Sequence, residues 1–123
     1  MYTGVIIQES LTDQEILDKV HVIRTVVEEV TLRHNTPWVK SWILHTIEIE
    51  EDEIDKWAEW LSHNIDDSHD HPWYADFRND KYHYVIFPDK IFKIDRSNSE
   101  QNKEAQEYGK SVGIPDHQLD WEL

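Results

Sequence analysis

The sequence predicts an α+β fold, and three observations lead to it. Two β-branched runs, residues 21–33 and 38–49, flank a Thr-Pro turn and read as a hairpin. Residues 51–64 repeat apolar side chains at helical spacing. Residues 73–96, WYADFRNDKYHYVIFPDKIFKIDR, alternate apolar and polar positions through two turn signals and read as a three-strand meander.

The elements can be justified in order. Residues 3–9 form a short apolar strand. Thr12 and Glu15 then fit a capping box, with Leu11 and Ile16 as the hydrophobic staple of a short helix. The hairpin follows and turns at His34-Asn35-Thr36-Pro37. On its returning strand Val39, Ile43, Ile47 and Ile49 make one apolar face, which also holds His45 as a hydrogen-bonded core histidine. The other face mixes Trp42 and Leu44 with polar residues, so a helix or a partner is expected to cover it. In the next helix Ile54, Trp57, Ala58, Leu61 and Ile65 form the buried stripe. Glu50, Glu51, Asp52 and Glu53 crowd its first turn, where the helix dipole favours negative charge.

Up to residue 78 the order is strand, helix, strand, strand, helix, strand. That is the βαββαβ order of the split-βαβ, or ferredoxin-like, plait. A β-hairpin and a C-terminal helix, from about Ser99 to Val112, extend it. Ser97 and Glu100 fit a second capping box, Gly113 a left-handed C′ position, and Leu119 and Trp121 a docking tail.

Side-chain parity orders the meander. A loop centred on Asn79-Asp80 sets Asp76 opposite His83 and Phe77 opposite Tyr82. Trp73, Ala75, Phe77, Tyr82, Tyr84 and Ile86 then share a face. A three-residue turn at Pro88-Asp89-Lys90 adds Phe92 and Ile94 to that face. It leaves the row Asp76–His83–Asp95 on the other, with Arg78 diagonal to His83. A two-residue turn would instead put Lys93 and Asp95 among the aromatic side chains.

Composition narrows the function classes. A chain of 123 residues is expected to form one domain, 1–123. The absence of cysteine excludes disulfides, thiolate metal sites and cysteine nucleophiles. Residues 1–20 hold no basic segment followed by a long apolar run, which leads to the expectation of a cytoplasmic protein. Twelve Lys and Arg against 26 Asp and Glu give a net charge of −14, with no basic run, so neither nucleic acid nor an anionic membrane is an expected partner. The three glycines, Gly4, Gly109 and Gly113, form no phosphate loop.

Two constellations are candidates for chemistry. The row of His83 with Asp76 and Asp95 would fix an imidazole between carboxylates for acid–base work, and Arg78 could hold an anionic group. The alternative role is an ordinary set of cross-strand ion pairs. The second candidate is the polar loop at 63–71, where His63, Asp66, His69 and His71 have the ligand types for a divalent metal. That loop could equally be a solvated cap on the preceding helix. Trp42 and Trp60 are the aromatic residues least explained by core periodicity.

The segment WYADFRNDKYHYVIFPDKIFKIDR, with YGKSVGIPDHQLDW after it and the TPW turn at 36–38, resembles a group of small uncharacterised prokaryotic proteins. The resemblance implies a free-standing cytosolic domain and carries over no functional residue. The expectation is therefore a binding module for a small molecule or protein that forms a homo-oligomer. The alternative is a small enzyme using either constellation.

Overall fold

The computed structural model of the chain describes residues 1–31, 36, 38–68, 72–119 and 121. Among them lie six strands and three helices: β1 (Tyr2–Ile7), α1 (Ile16–Lys19), β2 (His21–Glu29), β3 (Ser41–Ile49), α2 (Ile54–Asn64), β4 (Ala75–Arg78), β5 (Tyr82–Phe87), β6 (Lys90–Asp95) and α3 (Ser99–Ser111). All the strands join one antiparallel sheet in the order β2-β3-β1-β4-β5-β6. The fold is α+β. None of the described helices is long and apolar enough to cross a membrane.

The sheet's two faces are packed by different helices. On the first face Tyr2, Ile6, Ile47, Ile49, Phe77, Tyr84 and Ile86 meet Ile16 of α1 and the stripe Ile54, Trp57, Ala58 and Leu61 of α2. This is the larger core. On the second face Val85, Phe87 and Ile94 meet Ala105 of α3, together with Ile114 and Leu119 beyond it. Alternation along β5 produces both faces: its even residues look to α2 and its odd residues to α3.

Gly4 lets β1 and β4 come together. A Cβ built there would lie 1.9 Å from the Asp76 carbonyl oxygen and 2.6 Å from the Phe77 ring. Any side chain at position 4 would push β4 away, and β4 carries Asp76.

Several local expectations are corrected. The first helix has four residues, and Thr12 donates its hydroxyl to the Asn64 carbonyl at 3.1 Å instead of closing a capping box. Asp13 takes over that end by accepting the Glu15 N–H at 2.8 Å. At α3 the cap is Asn98, whose side-chain oxygen accepts from Glu100 N (3.1 Å) and Gln101 N (3.2 Å). Ser97 is occupied with Asp95 instead. The C-terminal end of α3 follows the sequence reading: Gly113 has φ 97°, and Ile114 returns its N–H to the Gly109 carbonyl at 3.0 Å. The turn expected at His34–Pro37 lies outside the described residues except for Thr36.

The meander keeps the predicted faces of β4 and β5 but not their register. Phe77 pairs with Tyr84 and Arg78 with His83, a slip of two residues along β5. A two-residue slip preserves parity, so every side chain of this hairpin stays on its expected face. The second turn has two residues, Pro88-Asp89, because Phe87 pairs with Lys90. Asp89 takes φ 57°, a left-handed conformation that Asp tolerates better than most residues, and its N–H bonds the Ser62 carbonyl of α2 at 2.8 Å. That long-range anchor holds the tight turn. Its consequence is a change of face along β6: Phe92 and Ile94 join α3, while Lys93 sits 4.3 Å over the Tyr82 ring on the other side.

Candidate functional site

Among the described residues the second face is only half covered. α3 lies over β5 and β6, and the part of the face made by β1 and β3 is left open as a cleft of about 220 Å³. The sheet contributes Val5, Ile7, Trp42 and Leu44 to it. The segment entering β4 contributes Pro72, Trp73 and Tyr74. Trp42 is set by a hydrogen bond from its indole N–H to Thr36 Oγ1 (2.8 Å), and its ring meets Trp73 edge-on with centroids 5.3 Å apart. Tyr74 is fixed by donating its hydroxyl to the Gln118 carbonyl of the tail, and Gln118 also lines the cleft. Two aromatic side chains are thus clamped from outside before any ligand arrives.

Among the described residues Asp76 is the one charged side chain lining this cleft. Although Val85 stands opposite it in the ladder, Asp76 reaches diagonally to His83, with Oδ2 2.7 Å from Nε2. His83 has no exposed surface, while the Asp76 side chain keeps 28% of its own. The imidazole is hemmed by Ile94, its β6 neighbour, and by the Trp121 ring, which meets it at 90° with centroids 5.7 Å apart. Its Nδ1 is buried without a hydrogen-bond partner. The bond to the carboxylate places the proton on Nε2, and Nδ1 faces packed side chains. Chemically, His83 steadies Asp76 from behind, and Asp76 is the group that a molecule in the cleft would meet.

The structure does not assemble the other expected members of that row. Asp95 pairs with Tyr82 on the opposite face, and Ile94 occupies the place beside His83 where Asp95 was expected. The cause is the two-residue turn at Pro88-Asp89. Asp95 serves α3 instead: it accepts the Ser97 hydroxyl (2.7 Å) and N–H (2.9 Å), which together hold its carboxyl below the usual carboxylate range. Arg78 stands directly opposite His83, not diagonal to it, and is exposed.

For the polar loop, His69 and His71 lie outside the described residues. His63 has Nε2 3.4 Å from Glu59 and Nδ1 3.4 Å from Asp89. Asp66 accepts both the N–H and the hydroxyl of Ser68 (2.9 and 2.6 Å). Among the described residues no three His, Asp or Glu side chains are grouped to hold a metal. His45 is hydrogen-bonded as expected, to Thr25 (2.9 Å) and Gln8 (2.8 Å), although it is half-buried.

A second, more polar pocket of about 440 Å³ lies on the first face, lined by residues that include Tyr2, Asp55, Tyr82, Tyr84 and Lys93. Tyr84 donates to Asp55 at 2.7 Å, and the Tyr2 ring meets it edge-on at 5.3 Å. Burial, then the Asp55 carboxylate, push the Tyr84 phenol well above its usual range, and burial with nearby acidic charge raises Tyr2 as well. Sequence reasoning missed this cluster because the longer turn put Lys93 on the wrong face. The open cleft did leave a trace in the sequence: the mixed face of β3, with Trp42 and Leu44, was expected to take a helix or a partner as cover, and the described helices leave it open.

No protein-family model, curated protein or solved structure matches the chain.

Proposed function

We propose that this chain is a cytoplasmic binding module for a small molecule, built on a ferredoxin-like plait and self-associating. The observation that carries the reading is the open cleft: apolar and aromatic walls converge on one carboxylate held by a fully buried histidine. Ligand sites have this composition, with a few placed polar groups in an apolar lining. The volume of about 220 Å³ falls under the roughly 300–1,000 Å³ of drug-sized pockets, which suits a ligand of one or two rings. The plait reading is supported by the sheet order: β2-β3-β1-β4 is the arrangement such a plait gives its four strands, with β5 and β6 added beside β4. The cysteine-free composition suits a reducing compartment.

Self-association rests on β2. It is an edge strand of nine residues, and Ile23 and Val27 on it are 47% and 64% exposed. A second copy related by a two-fold axis at Val26 would extend the sheet antiparallel, setting each Arg24 against the other copy's Glu28.

Both parts are testable on the intact chain. A fragment series followed by amide and indole N–H spectra should perturb Trp42 and Trp73 together with Val5 and Leu44. Fragments that leave all four unmoved at millimolar concentration would sink the binding reading. Sedimentation should show a dimer for the parent and a monomer for Val27→Lys, since a lysine protects an edge. A parent that stays monomeric across micromolar concentrations rejects the edge dimer.

A further inference from the structure

Resting on the cleft as a ligand site, we infer that its ligand is a cation: a small ring-bearing amine whose ammonium group meets Asp76. Observations on the carboxylate, the walls and the overall charge converge on this class. Among the described residues Asp76 is the sole charged one in the lining, and no described lysine or arginine is there to receive an anion. Only Oδ2 of that carboxylate is engaged, by His83 Nε2 at 2.7 Å, so Oδ1 is left for a donor in the cleft. Nδ1 of that histidine is buried beside Ile94 and the Trp121 ring, so His83 offers the cleft no further polar atom.

The rest of the lining favours a flat cationic body. Trp42, Trp73 and Tyr74 offer ring surface on which a ring or an ammonium is attracted, tryptophan being the strongest partner for a cation. Apart from Gln118 and the Tyr74 hydroxyl the described lining is apolar, so the bond to Asp76 forms where water is partly excluded and a charge-assisted hydrogen bond is stronger. The field of the whole molecule acts in the same direction, because a net charge of −14 draws cations toward the surface and repels anions. An anionic ligand would meet the Asp76 carboxylate with no described lysine or arginine beside it. A neutral ligand would gain the walls but only an ordinary hydrogen bond.

The test uses three probes with the same ring and nearly the same size: 2-phenylethylamine, 2-phenylethanol and phenylacetate. Each is titrated into the whole chain by calorimetry and by the indole N–H signals of Trp42 and Trp73. The amine is expected to bind about tenfold tighter than the alcohol, with phenylacetate weaker still. Asp76→Asn keeps an oxygen for His83 and changes no volume. It should bring the amine down to the alcohol's affinity while leaving the alcohol unchanged, and its unfolding midpoint shows that it is folded. Equal binding of amine and alcohol in the parent chain would overturn the cation inference and leave the cleft standing as a ligand site. Failure of all three probes to move either tryptophan would overturn both. Perturbation confined to Tyr82 and Tyr84 would place the ligand on the opposite face and also reject the inference.

Discussion

The two faces of the sheet differ in how completely they are closed. On the first, α1 and α2 cover residues from β1, β3, β4 and β5, and Ile6, Ile47, Phe77 and Ile86 have no exposed surface. On the second, α3 closes only the β5–β6 end, and Trp42 and Leu44 line an open cleft. One sheet therefore carries closed core on one side and, beside the smaller core under α3, an open cleft on the other. The difference shows where this fold spends its apolar residues on stability and where it keeps them accessible.

Paired truncations should separate the two faces by the largest margin. Phe77→Ala removes a ring with no exposed surface from the closed face and should cost about 3–5 kcal/mol in chemical unfolding. Leu44→Ala trims the half-open cleft and should cost about 1 kcal/mol, since only part of its burial term is at stake. Similar losses for the two would mean that the cleft is a core void and not a site.

A smaller effect comes from the tyrosines of the first face. The ordinary phenol value is 10.0, and Tyr84 in the folded chain lies well above it. As pH rises past about 10 the unfolded chain releases this proton while the folded chain keeps it, so stability falls with pH. Below that pH the contribution is fully present. Tyr84→Phe should flatten the alkaline slope of the unfolding free energy, with a residual slope from Tyr2, and cost about 1 kcal/mol at neutral pH through the lost bond to Asp55. An unchanged slope would separate Tyr84 from alkaline unfolding.

Much of the fold was legible because alternation is a local property. The helix stripe from Ile54 to Leu61, the two faces of β4 and β5, and the left-handed Gly113 all follow from neighbours in sequence. What escaped depended on contacts distant in the chain. The Pro88-Asp89 turn is short because Asp89 bonds Ser62, and that single bond decides whether Asp95 or Ile94 stands beside His83. The caps were misassigned for a similar reason: the Thr12 hydroxyl is taken by Asn64 and that of Ser97 by Asp95, so Asp13 and Asn98 accept the N–H groups at those two ends. The site was legible in part. Asp76 and His83 do meet, although through a diagonal contact across a register two residues from the expected one. The cleft itself could not be read, since it is the area that α3 fails to cover.

The most direct measurement is a crystal structure of the chain grown with 2-phenylethylamine. The ring is expected beside Trp42 and Trp73, with the nitrogen in hydrogen-bond reach of Asp76 and His83 unmoved behind it. An amine seated instead against Tyr84 and Lys93 on the first face, or an empty cleft at saturating amine, would contradict the cleft as a cation site.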